Sequence, residues 1–389
     1  MKKVLKLIFS VALLLSLAIV MTACGNNDEP TPATPPAAET TPPPAGVDPA
    51  PAPISDMRVA LVAHSPESIL NDGSFNQGAH DGIVRFLASQ GLPAGNVTFY
   101  QAVAADNDAR LNVMIQAIDG GADVLVLPGF QFAYALYGAQ DLFPDTYFII
   151  LDSEPERNFT SRIENNVAAI NYAEHESGFL AGYAAVQDGF RSLGFMGGMA
   201  IPPVQRFGHG FIQGAEHAAQ QLGLSAGDVT IEFIYHGAFA PDPSHVVMAS
   251  AWYELSGVEV IFVAAGGIGF AVFEAAEASG GLAIGVDSDQ SGDSDTVITS
   301  AMKMLDSSVY DMLTDIANNR FRGGQLHVFD AALGGVALPM NTSRFNSFTQ
   351  AQYDAIFNAI VSGAVNVSSS TDQDAILANV SLVTVNDLN

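Results

Sequence analysis

The sequence predicts an α/β protein with two doubly wound parallel-sheet lobes joined by a hinge. Short apolar runs alternate with amphipathic stretches along most of the chain, which is typical of parallel sheets covered by helices on both faces. About 335 residues follow the first 56, more than one ordinary hydrophobic core holds. The strand–helix repeat also restarts near residue 171, after a loop. Together these observations predict two lobes rather than one large domain.

The first 23 residues have the plan of a secretory signal peptide. Three lysines precede an apolar run that ends in the small residue Ala23, and the run is at the short limit for a membrane span. Cys24 follows directly and is the only cysteine of the chain. This arrangement resembles a bacterial lipobox, in which the thiol carries a diacylglyceryl group. We therefore predict an extracytoplasmic bacterial protein that is held at the cell membrane only through lipid on Cys24.

Residues 24–56 are predicted to form the lipidated start of the exported chain and its tether. They are rich in proline, alanine, threonine and acidic residues and offer almost nothing to bury. Such a segment is expected to stay extended between the lipid and the folded domain. Because no second cysteine remains, the domain is expected to be stabilised by its core without disulfides.

The charge of the chain limits the classes of partner. The sequence has 14 basic and 41 acidic residues, and three of the basic ones lie in the predicted signal peptide. A field this negative argues against nucleic acid and anionic membranes as partners. It would also repel an anionic ligand that lacked dedicated cations. A neutral or cationic solute fits better.

Each predicted strand is a short apolar run, and each predicted helix repeats its apolar positions at three and four residues. The strands are expected at 58–63, 97–101, 124–127, 147–151, 167–171, 193–196, 230–235, 258–263 and 283–286. The helices are expected at 77–90, 110–120, 174–187, 205–221, 270–279 and 301–316, with a hairpin-like stretch at 325–338.

The same pattern predicts the limits of the two lobes. The N-terminal lobe is expected to span 57–170, and the chain is expected to return to it at about 300–325. The C-terminal lobe is expected to hold 171–298 and about 326–389. Ligands of parallel sheets bind beyond the carboxyl ends of the strands, so residues that follow strands are the candidates for a site.

The segment 71–78, Asn-Asp-Gly-Ser-Phe-Asn-Gln-Gly, follows the first predicted strand. Asp72 and Ser74 are both candidates to cap the next helix. Capping does not account for Phe75, a large aromatic side chain at a strand–helix turn. An aromatic ring at that position is well placed to stack on a planar ligand.

This segment resembles the DDKSFNQ signature of the basic membrane protein family, the PnrA-type nucleoside-binding lipoproteins that serve ABC transporters. The resemblance implies that Phe75 and Asn76 are binding residues. Further matches occur in order and cover essentially all of residues 57–340. They are 127–130 (LPGF), 178–182 (GFLAG), 194–199 (GFMGGM), 201–202 (IP), 206–207 (RF), 210–211 (GF), 264–267 (AAGG), 273–275 (FEA), 285–290 (GVDSDQ), 299–300 (TS) and Lys303. Each motif alone is weak, whereas the ordered set is specific.

The resemblance implies a type I periplasmic-binding-protein fold whose two lobes close on a purine nucleoside. In the family, two aromatic rings sandwich the base, and Phe75 and Phe239 match them. The acid that holds the ribose matches Asp287, since a carboxylate can accept hydrogen bonds from both ribose hydroxyls. Gly266 and Gly267 match a glycine contact at which the backbone approaches the ligand closely.

Lys303 matches the binding lysine of the family, and composition supports it independently. The other three lysines lie in the predicted signal peptide, so Lys303 is the only lysine of the exported chain, which otherwise uses ten arginines. The compact ammonium of lysine and the planar guanidinium of arginine are not interchangeable at close sites. We therefore predict that Lys303 binds the ligand.

Two positions depart from the family pattern. Where members carry an aspartate after the first strand, this chain has His64 and Ser65, and where a second aspartate follows a Gly-Phe-x-Phe segment it has Tyr134. Both family aspartates contact the edge of the base, and an unpaired buried polar group disfavours the wrong ligand. His64 offers one donor and one acceptor instead, or it is an ordinary turn histidine. A nucleoside is therefore better supported than any named base.

Other functions fit less well. The stretch 266–269, Gly-Gly-Ile-Gly, with Asp287 about 20 residues on, mimics a dinucleotide fingerprint, but Val272 replaces its third glycine. Hydrolase motifs do not occur, and the eight histidines lack metal spacing, so we expect no catalysis, no cofactor and no metal. We expect a monomer that delivers a nucleoside to the permease subunits of an ABC importer. A ligand-sensing receptor of the same fold and a binding protein for another small neutral solute remain open.

Overall fold

The computed structural model describes residues 56–389. Cys24, the predicted signal peptide and nearly all of the predicted tether lie outside the described residues. The described part contains two large β-sheets with helices packed on both faces of each, as the predicted fold class requires.

The first sheet has six parallel strands in the order β13-β7-β4-β3-β1-β2. Its helices are α1 to α3 and α8, and a small hairpin, β5 and β6, follows β4. The elements are β1 (Val59–Ala63), α1 (Phe75–Ser89), β2 (Val97–Gln101), α2 (Asn107–Asp119), β3 (Val124–Pro128), α3 (Ala133–Leu142), β4 (Tyr147–Leu151), β5 (Glu156–Arg157), β6 (Thr160–Ser161), β7 (Val167–Tyr172), α8 (Leu305–Ala317) and β13 (Gln325–Phe329).

The second sheet has seven strands in the order β14-β12-β11-β10-β8-β9-β15, all parallel to their neighbours except β14. Its elements are α4 (Glu174–Asp188), β8 (Ser192–Gly197), α5 (Pro202–Leu222), β9 (Val229–Tyr235), α6 (Pro243–Glu254), β10 (Val260–Ala264), α7 (Ile268–Ser279), β11 (Leu282–Asp287), β12 (Val297–Lys303), β14 (Val336–Ala337), α9 (Gln350–Val361), α10 (Gln373–Leu377) and β15 (Val383–Asp387).

The central strands are apolar on both faces, which explains why they form parallel sheets. In β1, Val59 and Leu61 enter one hydrophobic cluster, whereas Ala60 and Val62 enter another on the opposite face. All five residues of β1 are buried. A strand without a polar face must be covered on both sides, and crossover helices supply that cover. The nine strands predicted from apolar runs all occur, with ends shifted by two residues at most.

Two predictions for the region after residue 296 are wrong. Residues 301–303 belong to β12, and the helix begins only at Leu305. The buried positions of α8 recur at helical spacing from Leu305 onward, whereas β12 is buried at six of its seven residues, as a strand inside a sheet must be. The hairpin at 325–338 does not form, because β13 pairs with β7 in the first sheet and β14 pairs with β12 in the second.

The chain passes between the two sheets three times, after β7, after β12 and after β13. The segment that returns to the first sheet is therefore α8 with β13, residues 305–329, and not about 300–325. Backbone hydrogen bonds join the passages, from Ala173 N to Phe329 O at 3.0 Å and from Met304 N to Gly335 O at 2.9 Å. These three adjacent passages form the connection about which the sheets can move relative to each other.

Glycines allow α4 and α5 to cross in close contact. A Cβ on Gly178 or Gly182 would collide with the carbonyl oxygens of Phe207 and Phe211 in α5. Reciprocally, a Cβ on Gly210 or Gly214 would collide with carbonyl oxygens of α4. Four glycines at four-residue spacing on both helices therefore fix this crossing, by the same backbone approach that small residues permit elsewhere.

Candidate functional site

A cavity of about 540 Å³ lies at the carboxyl ends of strands from both sheets. Residues that follow β1, β3, β4, β9 and β10 line it, together with the ends of β11 and β12, the loop after β8 and the first two turns of α5. Its volume is within the range of small-molecule sites, and its place is the one at which parallel sheets bind ligands. Nine of the ten predicted site residues line it: His64, Ser65, Phe75, Asn76, Phe239, Gly266, Gly267, Asp287 and Lys303.

Asp72 shapes the loop that presents Phe75. Its Oδ1 accepts hydrogen bonds from the backbone N–H groups of Ser74 and Gln77, both at 3.0 Å, and its Oδ2 accepts one from Asn76 N–H at 2.9 Å. Asp72 therefore supplies the capping contacts at the start of α1, which Ser74 does not. Phe75, the first residue of α1, is thereby held at the cavity wall.

Because Asp72 caps the helix, the Ser74 hydroxyl is free to reach the second sheet. Ser74 Oγ donates to Asp287 Oδ2 at 2.8 Å, and Ser74 is buried. Beside this contact, Ser288 Oγ donates to the Gly73 carbonyl at 2.7 Å. The loop after β1 and the loop after β11 are thus hydrogen-bonded to each other across the cavity edge.

Lys303 contacts two acidic side chains of the cavity. Its Nζ lies 2.6 Å from Asp152 Oδ2 and 3.3 Å from Asp287 Oδ1. The ammonium also lies over the ring of Phe75, 4.6 Å from the centroid, with Phe207 at 5.6 Å on another side. The ring of Tyr172 lies 5.5 Å from the same ammonium. Lys303 is 4% exposed, so two carboxylates and three rings share a single buried cation.

The charge states of this network follow from burial and neighbours. Burial alone would lower the pKa of Lys303, but Asp152, Asp287 and Glu174 together hold it above its ordinary value. Burial raises the pKa of Asp152, and Glu174 adds to this effect, while contact with Lys303 opposes it. Glu174 is itself buried and accepts a hydrogen bond from Arg206 Nε at 2.6 Å. The ammonium of Lys303 is therefore charged at any physiological pH.

Glycines also leave space for the ring of Phe239, the second predicted aromatic residue of the site. Phe239 lies in the loop after β9, against Gly198 and Gly266. A Cβ on Gly198 would come within 2.5 Å of the Phe239 ring, and Gly266 has a left-handed φ of 56° that strains other residues. Gly266 and Gly267 thus shape the wall that carries Phe239, in addition to lining the cavity themselves.

His64 is a neutral side chain at the opposite part of the lining. Its Nε2 lies 3.0 Å from Ser68 Oγ, which in turn lies 3.1 Å from Ser65 Oγ, while its Nδ1 is buried without a partner in the protein. Burial, helped by the charge of Arg110, lowers the pKa of His64 to about 4. One ring nitrogen of a neutral imidazole thus remains available to a ligand.

Tyr134 is not among the residues that line the cavity. It lies on α3, is 41% exposed, and its ring is covered by the guanidinium of Arg157 at 4.4 Å. The 3₁₀ turn at Phe130–Phe132 before α3 brings Phe130 and Gln131 to the cavity instead. Tyr134 follows this turn and lies on α3, outside the cavity lining.

Sequence reasoning missed Asp152, Glu174 and Arg206. Asp152 follows β4 at the carboxyl end of the first sheet, the position at which candidates were sought, but the resemblance gave it no role. Glu174 and Arg206 lie 32 residues apart on α4 and α5, and only the close crossing of those helices brings them together. No sequence pattern indicates that pair.

Two negative observations apply to residues 56–389. None of the helices described there has the length and apolar character needed to cross a membrane. Nor does that part of the chain bring together three or more histidine, cysteine or acidic side chains in an arrangement able to hold a metal ion.

Known structures share this architecture. An ABC transporter solute-binding protein from Aeropyrum pernix K1 superposes with a TM-score of 0.69 at 22% identity, over 83% of this chain and 96% of that chain. A second, from Conexibacter woesei, superposes with a TM-score of 0.64 at 23% identity, over 80% and 99% of the two chains. At these identities the likeness shows the fold.

Sequence comparison assigns the family. The nucleoside-binding protein BmpA of an ABC transporter in Lactococcus lactis subsp. cremoris is 29% identical over 339 residues, covering 81% of this chain and 90% of that protein. Basic membrane protein B of Borreliella burgdorferi is 28% identical over 286 residues, covering 72% and 80% of the two chains. Residues 58–371 match the family model described as Bmp, ABC transporter substrate-binding protein PnrA-like. The chain therefore belongs to the Bmp family of PnrA-like proteins, the extracytoplasmic substrate-binding proteins of ABC transporters, and is not an enzyme.

Proposed function

We propose that the protein binds a nucleoside, with a purine as the favoured base, and delivers it to the permease of an ABC importer. The observation that carries this proposal is the meeting of Phe75, Phe239, Asp287 and Lys303 at one cavity. The BmpA relative, named as a nucleoside-binding protein, supports the same ligand class.

Each part of a nucleoside has a complementary group in the lining. The rings of Phe75 and Phe239 are available to stack on the base, a contact worth about 1–3 kcal/mol per ring. Asp287 is an acceptor for ribose hydroxyls. Lys303 donates one hydrogen bond to Asp152 and forms an ion pair with Asp287, and its ammonium has three N–H donors, so a ligand oxygen could accept another.

The charge of the lining favours a nucleoside over a nucleotide. Four carboxylates, those of Glu67, Asp72, Asp152 and Asp287, line the cavity with a single ammonium. That ammonium already pairs with two of them. A phosphate entering the cavity would therefore meet excess negative charge without a free cation.

Calorimetric titration of the unlipidated exported chain tests the ligand class. A panel would contain purine and pyrimidine nucleosides, their 5′-monophosphates, free bases, ribose and amino acids. We expect binding of nucleosides, strongest for purines, and none of the monophosphates. Binding of a sugar or an amino acid with no nucleoside bound would refute the proposal.

We further propose that the protein acts as a monomer anchored through lipid on Cys24. The lipobox-like residues before Cys24 support the lipid anchor. Replacement Cys24→Ser should release the protein from bacterial membranes into the soluble extracytoplasmic fraction. Retention of the variant in the membrane fraction would exclude the lipid as its anchor.

A further inference from the structure

The two sheets repeat one local feature in sequence and in position. Neighbouring strands run β2-β1-β3-β4 in the first sheet and β9-β8-β10-β11 in the second, so β4 and β11 occupy equivalent places. Each ends in an apolar residue, an aspartate and a serine: Leu151-Asp152-Ser153 after β4 and Val286-Asp287-Ser288 after β11. Asp152 is therefore the counterpart of Asp287 in the other half of the fold.

The two aspartates share an unusual backbone conformation. Asp152 has a φ of 59° and Asp287 a φ of 66°, both in the left-handed region. Only a few residues other than glycine adopt this region, and those held there concentrate at ligand sites. The same turn thus aims a carboxylate from each sheet toward the space between them.

Both carboxylates converge on Lys303, but they differ in what their second oxygen does. Asp287 uses Oδ1 for Lys303 and Oδ2 for the Ser74 hydroxyl. Asp152 uses Oδ2 for Lys303, and its Oδ1 is buried without a hydrogen-bond partner in the protein. The Asp152 side chain is only 10% exposed and lines the cavity. A buried carboxylate oxygen with no donor is costly, and a ligand donor would satisfy it.

We infer that Asp152 is a second ligand-binding carboxylate, which accepts a hydrogen bond from a ligand hydroxyl while Asp287 accepts one from another. Lys303 bridges the two carboxylates and keeps them the correct distance apart. This inference rests on the proposed nucleoside function and extends it, since two carboxylates aimed from opposite sheets can accept hydrogen bonds from two different hydroxyl groups of one ribose. Ribosides are accordingly bound more tightly than their deoxy analogues.

A purely positioning role for Asp152, acting only through Lys303, makes a different prediction. If Asp152 contacts a ligand hydroxyl, removing that hydroxyl and neutralising Asp152 remove the same hydrogen bond, so the two changes are not additive. If Asp152 acts only on Lys303, and Lys303 binds a ligand atom that all four ligands keep, neutralising Asp152 weakens binding of every analogue by the same factor. Measuring the affinity of each protein variant for each ligand analogue, as in a double-mutant cycle, distinguishes direct contact from a positioning role.

The test uses Asp152→Asn, because asparagine has the same shape and tolerates the left-handed conformation. Wild type and variant are titrated with one well-bound riboside and with its 2′-deoxy, 3′-deoxy and 5′-deoxy analogues. Asp145→Asn is the matched control, since Asp145 is exposed and precedes β4 at its other end. Thermal unfolding of each protein verifies that it is folded.

We expect Asp152→Asn to weaken riboside binding by about tenfold to a hundredfold, the range for a hydrogen bond to a charged group. For one deoxy analogue the loss should shrink to less than about threefold, and Asp145→Asn should change nothing. An equal loss for all four ligands, or no loss for any, would overturn the inference. If wild type binds no nucleoside at all, the proposed function itself fails, which is a separate outcome read from the first titration.

Discussion

Individual side chains at the cavity have charge states that burial and neighbours set. Asp287 combines a left-handed backbone, a contact with Lys303 and a hydrogen bond from Ser74. His64 is a partly buried imidazole close to the Ser68 hydroxyl, and burial lowers its pKa to about 4, so it is neutral at ordinary pH. For each of these two residues, a single substitution gives a testable prediction.

Asp287→Asn should weaken nucleoside binding by a hundredfold or more. The amide keeps the shape and one acceptor but loses the charge that strengthens hydrogen bonds from hydroxyl groups, at a cost of about 1.5–3 kcal/mol for each bond. Calorimetric titration measures the change. Asp289→Asn is the control, because Asp289 lies two residues away, is exposed and does not line the cavity. If Asp287→Asn bound nucleosides as tightly as wild type, the proposed contact between Asp287 and the ribose would be refuted.

The pKa of His64, lowered to about 4, predicts how stability depends on pH. Between pH 4 and about 6.5 the unfolded chain binds a proton at this residue and the folded chain does not. The free energy of unfolding should therefore fall as pH falls through this window. In His64→Gln the fall between pH 6 and pH 5 should be smaller, by at most about 1.4 kcal/mol per pH unit.

Denaturant unfolding of ligand-free wild type and His64→Gln, at pH 5 and at pH 6, measures that difference. The comparison isolates His64, because other groups titrate in the same way in both proteins. Identical pH dependence of the two proteins would show that the imidazole is protonated in the folded state as readily as in the unfolded chain.

At the residue scale, sequence reasoning could use only local chemical signals. Lys303 was singled out as the only lysine after the predicted signal peptide, and it lies buried at the cavity. Asp152 was missed although Leu151-Asp152-Ser153 repeats Val286-Asp287-Ser288, because a three-residue repeat has meaning only once the two strands are known to be equivalent. Tyr134 lies on α3, after the turn at Phe130–Phe132 and outside the cavity lining, so its contact with the base edge stays a prediction.

Among the elements, α4 and α5 can cross as closely as they do only if glycines occupy the contact. The two helices approach so closely that Gly182 leaves no room for a methyl group against Phe211 O. The same crossing brings Glu174 to Arg206, beside the charged groups of the cavity. Packing between these helices is thus tied to the position of a buried ion pair.

Gly182→Ala should lower the free energy of unfolding by about 1–3 kcal/mol, since the added methyl group forces the helices apart. Gly269→Ala is the matched control. Its Cβ would meet only ordinary contacts at 3.8 Å or more, and alanine favours a helix over glycine by about 1 kcal/mol. Denaturant unfolding measures both. If Gly182→Ala proved as stable as wild type, the helices would have to cross with more space than the structure gives them.

At the element scale, the central strands were predictable because burial on both faces leaves an uninterrupted apolar run, as in β1, β3, β4 and β10. β12 was not, since Thr299 and Ser300 interrupt its apolar run and its last residues fit a helix as well as a strand. β13 and β15 lie at sheet edges and expose most of their residues. An edge strand is recognised mainly by the strand with which it pairs. The partner of β13 is β7, which lies more than 150 residues earlier in the sequence.

For the whole molecule, we expect the hydrogen bond between Ser288 and Gly73 at the cavity edge to link ligand binding to the approach of the two sheets. Ser288 does not line the cavity, yet its hydroxyl donates to the Gly73 carbonyl of the opposite sheet. A ligand held between the sheets and this hydrogen bond both favour the same closed arrangement. The bond should therefore contribute to affinity without touching the ligand.

Ser288→Ala should weaken nucleoside binding about threefold to tenfold, the value of one neutral hydrogen bond. The loss should appear mainly as faster dissociation, because variants of one complex differ more in dissociation rate than in association rate. Stopped-flow fluorescence measures both rates. Ser153→Ala is the matched control, since the equivalent hydroxyl contacts only Glu154 O within its own loop. Equal effects of the two substitutions would contradict a role in closure.

The three passages of the chain between the sheets also determine when each half of the protein can be completed during synthesis. The first sheet lacks α8 and β13 until residue 329 is available, and the second lacks β15 until residues 383–387 are available. Most of the second sheet is therefore made before the first is finished. Chains usually fold domain by domain from the N-terminus, but this order of elements delays both halves until nearly the whole polypeptide has been released. A late-folding chain of this kind is suited to crossing a membrane before its sheets close.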